Sequence, residues 1–74
     1  MTLTDAQAQV LRALLRDGAM LHNRRTGRYI INADSFSSYE VFPMIDRYIV
    51  RDTLGGFRVL PAGLSALAQH EAQA

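Results

Sequence analysis

Turn-forming residues recur along this chain and set where its regular elements can begin and end. Gly18, the tetrapeptide "RRTG" (residues 24–27), Pro43, the pair Gly55–Gly56 and Pro61 fall between or inside apolar stretches and cut the chain into short pieces. Each piece has to bury its apolar face against the others. With 74 residues there is room for one core, so a single domain over residues 1–74 is expected. A chain of that length buries only about 60% of the surface its unfolded form exposes. It has no cysteine, which rules out a disulfide framework and a thiolate metal site. Small folds without such staples often gain stability by pairing with a second copy.

The first piece carries helix punctuation at both ends. Thr4 with Gln7 three positions on is a capping-box pair, and Ala6, Val10, Leu11, Leu14 and Leu15 recur at helical spacing. Gly18 supplies the left-handed stop, so a helix is expected over roughly residues 4–17. "AMLHN" and "RYIIN" then flank "RRTG", and Gly27 can take the positive φ of a short hairpin loop. These strands do not alternate cleanly, since Ile30 and Ile31 are adjacent. "SFSSYEVFPMIDRYIV" reads as a second helix, with Ser37 and Glu40 as its capping pair and Val41, Ile45 and Tyr48 along one face. Pro43 sets its start or forces an irregular first turn, because proline beyond the first turn breaks a helical hydrogen bond. "YIVRDTLGGFRVL" is a second hairpin turning at Gly55 and Gly56. "PAGLSALAQHEAQA" closes as a helix with Pro61 at its first position, Leu64, Leu67 and Ala68 on one side and the last four or five residues frayed. The expected fold is α+β, in the order helix, hairpin, helix, hairpin, helix.

From "SSYEVFPMIDRYIVRD" through "FRVLPAGLSALA" the pattern resembles bacterial winged-helix regulators of the MarR and PadR type. In those families a recognition helix leads into an apolar strand, a glycine-bearing wing, and a strand ending in a "PAG" turn that opens a helix. The matching pieces here are Val41 to Ile45, then Ile49 and Val50, then Gly55 and Gly56, then Pro61, Ala62 and Gly63. The resemblance covers roughly the C-terminal half plus the first helix. The chain departs from it twice: the arginine hairpin replaces the helix that precedes the recognition helix, and Tyr48 stands where those proteins usually carry a glycine. The resemblance implies a small winged-helix-like domain that binds double-stranded DNA, and a homodimer formed through the first and last helices. The other reading of those two helices is that they close over the hairpins of one chain.

Charge distribution marks a candidate site. The net charge is only +1, and every basic residue is an arginine. Residues 19–32 hold Arg24, Arg25 and Arg28 and no acid, and so supply the whole positive excess. Arginine's planar fork suits phosphate and guanine edges, although hairpin tips are also polar simply because they face water. Under the resemblance, Ser38, Tyr39 and Arg47 of the recognition helix and Arg51 and Arg58 of the wing join them at the DNA. Glu40, Asp46 and Asp52 oppose that role, and Ser37 with Glu40 is better explained as a cap. Among the aromatics, Tyr29, Phe36, Phe42, Tyr48 and Phe57 are expected in the core and Tyr39 outside.

No enzyme is indicated. The two histidines, His22 and His70, have no metal-binding or general-base spacing, and there is no phosphate loop and no nucleophile elbow. Asp46 and Asp52 read as solvated carboxylates, and no cofactor or metal is expected. No apolar run approaches the roughly 20 residues of a membrane span, and the start lacks the basic and apolar segments of a signal peptide, so a cytoplasmic protein without a membrane partner is expected. A second functional reading stands beside DNA binding and transcription regulation: a protein-binding adaptor or inhibitor on the same scaffold, for instance a phage or mobile-element protein docking on host machinery. Near-neutral charge favours it, and fold alone does not separate the two.

Overall fold

The computed structural model describes residues 3–52 and 56–73. They form a mixed α+β domain in the order α1 (Asp5–Asp17), β1 (Leu21–Asn23), β2 (Arg28–Ile31), β3 (Asp34–Phe36), α2 (Ser38–Val41), a 3-10 turn (Phe42–Met44), β4 (Ile49–Arg51), β5 (Phe57–Val59) and α3 (Pro61–Ala72). β1, β2 and β3 make one antiparallel sheet in that order, and β4 pairs with β5 in a second. No helix among the described residues is long and apolar enough to cross a membrane.

α1 begins and ends where its caps dictate. The Thr4 hydroxyl accepts the Gln7 N–H at 3.0 Å, and the Gln7 side chain accepts the Thr4 N–H at 3.0 Å, closing the capping box. Gly18 ends the helix at φ 75°, its N–H bonded to the Leu14 carbonyl. The Thr4 hydroxyl also donates to the Glu40 carboxylate at 2.8 Å, and the Gln7 amide donates to the Glu40 carbonyl at 3.1 Å, so the same cap pins α1 to α2. Thr4→Ala therefore removes a cap and a tertiary bond together. It is expected to cost about 1–2 kcal/mol in urea unfolding followed by circular dichroism, with Thr4→Ser within about 0.5 kcal/mol of the parent.

The arginine hairpin forms with the register Leu21↔Ile30, His22↔Tyr29 and Asn23↔Arg28. A third strand, absent from the expected element order, pairs back on β2 through Tyr29↔Phe36 and Ile31↔Asp34. The reversal is made at Asn32, whose φ is 54°. Asparagine tolerates the left-handed region and so serves in place of glycine at a two-residue turn. Pairing on both edges of β2 buries Tyr29 and Ile31 on one sheet face, together with Phe36.

The second helix is much shorter than its apolar pattern implies. Ser37 caps it by accepting the Tyr39 N–H, but the Glu40 carboxylate is turned to Thr4 instead of completing a box. After Val41 the chain tightens into the 3-10 turn with Pro43 in its first residues. Proline has no N–H to offer, and in a continued α-helix its ring would meet the carbonyl four residues back. Ile45 is then extended and Asp46 left-handed, at φ 69°. The Asp46 N–H donates to the Ile49 carbonyl and the Tyr48 N–H to the Met44 carbonyl, so residues 45–48 form a tight turn rather than helix.

β4–β5 follows as expected, with Ile49↔Val59 and Arg51↔Phe57 paired and the Asp52 N–H bonded to the Gly56 carbonyl. Gly55, expected at this turn, lies outside the described residues. α3 opens at Pro61, where the missing N–H costs nothing. It runs to Ala72, past the point where fraying is expected, and its last turn meets α1: His70 Nε2 lies 3.0 Å from the Asp5 carboxylate and Arg12 lies 3.2 Å from Glu71. Its inward face is Gly63 and Leu67, and Leu64 and Ala68 point outward. Leu15 of α1 is likewise exposed, one position beyond the buried arc of Val10, Leu11, Ala13 and Leu14. Leu11, Ile31, Met44 and Ile49 are fully buried at the centre, and no polar or charged residue is buried among those described.

Candidate nucleic-acid interface

The loop that carries the arginines has its backbone fixed from within. Gly27, at φ 74°, donates its N–H to the Asn23 carbonyl at 2.7 Å. The Asn23 side-chain oxygen accepts the N–H groups of Arg25 at 3.0 Å and Thr26 at 3.4 Å, and the Thr26 hydroxyl accepts the Arg28 N–H at 3.3 Å. The tip therefore presents Arg24 and Arg25 from a preformed turn. Both are exposed, and neither side chain has a hydrogen-bonding or ionic partner among the described residues.

Arg28 behaves differently. Its guanidinium donates to the Ser35 hydroxyl and to the Ser35 carbonyl, so it bridges β2 and β3 along the outer sheet face. That face also carries Leu21, which is exposed, and Ile30, as the strand pairing requires. The three arginines of the hairpin thus divide into two that reach outward at the tip and one committed to the sheet.

The opposite face of the hairpin is aromatic. The His22 ring is stacked on Tyr29, with centroids 4.4 Å apart and planes within 16°. Tyr29 meets Phe42 edge-on at 5.9 Å and Phe57 edge-on at 6.4 Å. The Arg51 guanidinium lies over the Phe57 ring at 5.3 Å from its centroid, a cation–π arrangement. One buried tyrosine therefore joins the arginine hairpin to the second hairpin and brings Arg51 to the same cluster. Phe42, expected in the core, is 55% exposed. Phe42 keeps the backbone conformation of α2, with its N–H bonded to the Ser38 carbonyl, and lies outside the buried position that Val41 takes.

The remaining candidates are more scattered. Arg58 alternates with buried Phe57 and projects from the outer face of β5. Tyr39 is 87% exposed, as expected, and Ser38 is half-buried at the start of α2. Arg47 lies exposed in the tight turn after the 3-10 segment. Asp46 neighbours it, whereas Glu40 is held by Thr4 and Gln7 rather than facing outward alone.

Elsewhere a shallow cleft of about 320 Å³ is lined by Gln9, Arg12, Ala13, Arg16, Asp34 and Phe36. Its cations are already matched: Arg12 by Glu71, and Arg16 by Asp17 at 3.0 Å and Asp34 at 3.8 Å. The hydrogen bond and charge of Asp17 hold the Arg16 guanidinium above its ordinary pKa, keeping it charged. This cleft offers a ligand no unmatched charge.

Sequence reasoning placed neither His22 nor Phe42 beside the arginine loop. The hairpin register implied by a four-residue "RRTG" loop places His22 opposite Tyr29, and that signal was readable. Phe42 was expected in the core because it flanks the apolar face of a longer helix than the one that forms. Comparison with known family models, characterised proteins and solved structures returns no match.

Proposed function

We propose that this chain is a small, non-enzymatic DNA-binding module serving transcription regulation in the cytoplasm, with Arg24 and Arg25 as its main phosphate contacts. The observation that carries this reading is the preformed loop between Asn23 and Arg28, which holds two exposed arginines without acidic partners among the described residues. A fixed backbone lowers the ordering cost of binding, which is what preorganisation contributes to affinity. In the winged-helix-like arrangement, β4–β5 acts as the wing with Arg51 and Arg58, and Ser38, Tyr39 and Arg47 flank the duplex. The helix that would read bases comprises only four α-helical and three 3-10 residues. We therefore assign affinity to the arginine loop and little sequence reading to α2.

A labelled random-sequence duplex titrated at low and at moderate salt tests the reading by fluorescence anisotropy. Micromolar binding that falls steeply with salt is expected, because neutralised phosphates release counterions. Absence of binding at low salt would refute it. A second reading is favoured by the exposure of Tyr39 and Phe42, 87% and 55% respectively: a protein-binding adaptor or inhibitor, with hot spots at those rings. That activity would be insensitive to the loss of Arg24 and Arg25.

A further inference from the structure

We infer that the ring cluster beside the arginine loop stacks unpaired bases, so that the polymer this protein prefers is single-stranded nucleic acid. The inference rests on phosphate contact by Arg24 and Arg25 and departs from the duplex reading above in the form of nucleic acid preferred. His22 is exposed although one face of its ring lies on Tyr29. The surface it keeps open is therefore the opposite face and the ring edge. Phe42, packed edge-on against the same tyrosine, is more than half exposed, and Tyr39 lies one helical turn before it. Two of these accessible rings, His22 and Phe42, pack against the buried ring of Tyr29.

Charge is arranged to suit. Arg24 and Arg25 follow His22 by two and three residues, Arg51 joins the cluster through Phe57 and Tyr29, and no carboxylate occurs between Asp17 and Asp34. Proteins that bind single strands combine cationic groups that track the phosphates with rings on which successive bases stack. A duplex keeps its bases stacked on one another and gives such rings nothing to hold unless base steps are opened at a cost. Phosphate contact alone predicts duplex binding at least as tight as single-strand binding. The exposed rings predict the reverse.

The test compares labelled oligo-dT and oligo-rU of about 12 nucleotides with a hairpin duplex of similar length by anisotropy at one low salt concentration. The proteins are the parent chain, His22→Ala, Phe42→Leu and Arg24→Ala/Arg25→Ala, each checked for folding by circular dichroism. Phe42→Leu keeps apolar bulk at a half-exposed site and removes only the aromatic face. The expected result is that one or both single strands bind at least about tenfold more tightly than the duplex. His22→Ala and Phe42→Leu should each weaken single-strand binding severalfold and leave duplex binding unchanged, and the arginine pair variant should weaken both. Equal or tighter duplex binding, or single-strand affinity unmoved by both ring variants, would overturn the inference and leave phosphate contact standing. No binding of the parent to any of the three polymers would overturn both and turn attention to a protein partner.

Discussion

Replacing Arg24 and Arg25 together by alanine is expected to lower duplex DNA affinity by about one to two orders of magnitude at low salt and to flatten the salt dependence. Each phosphate neutralised on B-DNA contributes about 0.9 to the slope of log affinity against log salt, so losing two contacts should reduce that slope by about 1.8. Folding should be unaffected, because the turn is held by Asn23, Thr26 and Gly27 through backbone N–H groups that the substitutions leave in place. Arg28→Ala makes the informative contrast. Its guanidinium is already engaged by Ser35, so its removal should cost less DNA affinity and somewhat more stability. Equal losses from Arg28→Ala and from either tip arginine would mean that the loop acts only as diffuse positive charge. An unchanged slope in the double variant would show that the tip does not touch phosphate.

Gly63→Ala is expected to meet the closest obstruction of any glycine-to-alanine change among the described residues and to cost stability accordingly. A Cβ at position 63 would lie 2.5 Å from the Tyr48 carbonyl oxygen, 3.0 Å from a Val59 methyl and 3.2 Å from the Tyr48 carbonyl carbon. The same carbonyl accepts the Leu60 N–H at 2.7 Å, which seats the start of α3 on the turn after the 3-10 segment. Two effects compete. Alanine favours a helix over glycine by about 1 kcal/mol. Overpacking typically costs 1–3 kcal/mol, and here the obstructing atoms are mostly backbone, which yields least, so the upper end applies. The net loss should be about 2 kcal/mol, or roughly 8–16 °C in Tm for a domain of this size. Thermal unfolding by circular dichroism measures it. Stability unchanged or raised would mean that α3 is not seated on Tyr48.

The legible parts of the sequence were those specified by one or two neighbouring residues. Thr4 with Gln7 and Gly18 set both ends of α1, "RRTG" set the hairpin loop, and Pro61 set the start of α3. Each acts through a local backbone requirement that no distant contact has to supply. The third strand was missed because "DSF" is short and polar and gains its place only by pairing with β2 after Asn32 turns the chain. The second helix was overestimated because Val41, Ile45 and Tyr48 do keep helical spacing. Pro43 overrode that spacing, and Met44 fills the core from the 3-10 turn and Ile49 from β4 instead. On α3 the choice between Leu64 and Gly63 as the inward residue depended on the approach of Tyr48, which glycine allows and periodicity does not encode. At the candidate site, the exposed arginines were readable from charge alone. The commitment of Arg28 to Ser35 was not, because it depends on a third strand that only pairing with β2 creates, and the exposure of Phe42 was not, because the apolar spacing placed it in a longer helix than the one that forms.

The most direct test of phosphate contact through the loop is a nitrogen–proton correlation spectrum of the labelled protein titrated with a short duplex at low salt, including the arginine side-chain Nε–H signals. The account predicts that the largest shifts fall on the amides from Asn23 to Arg28 and on the Nε–H groups of Arg24 and Arg25, and that they reverse on adding salt. Shifts confined to the region of Tyr39 and Phe42, or no shifts at all at low salt, would contradict it.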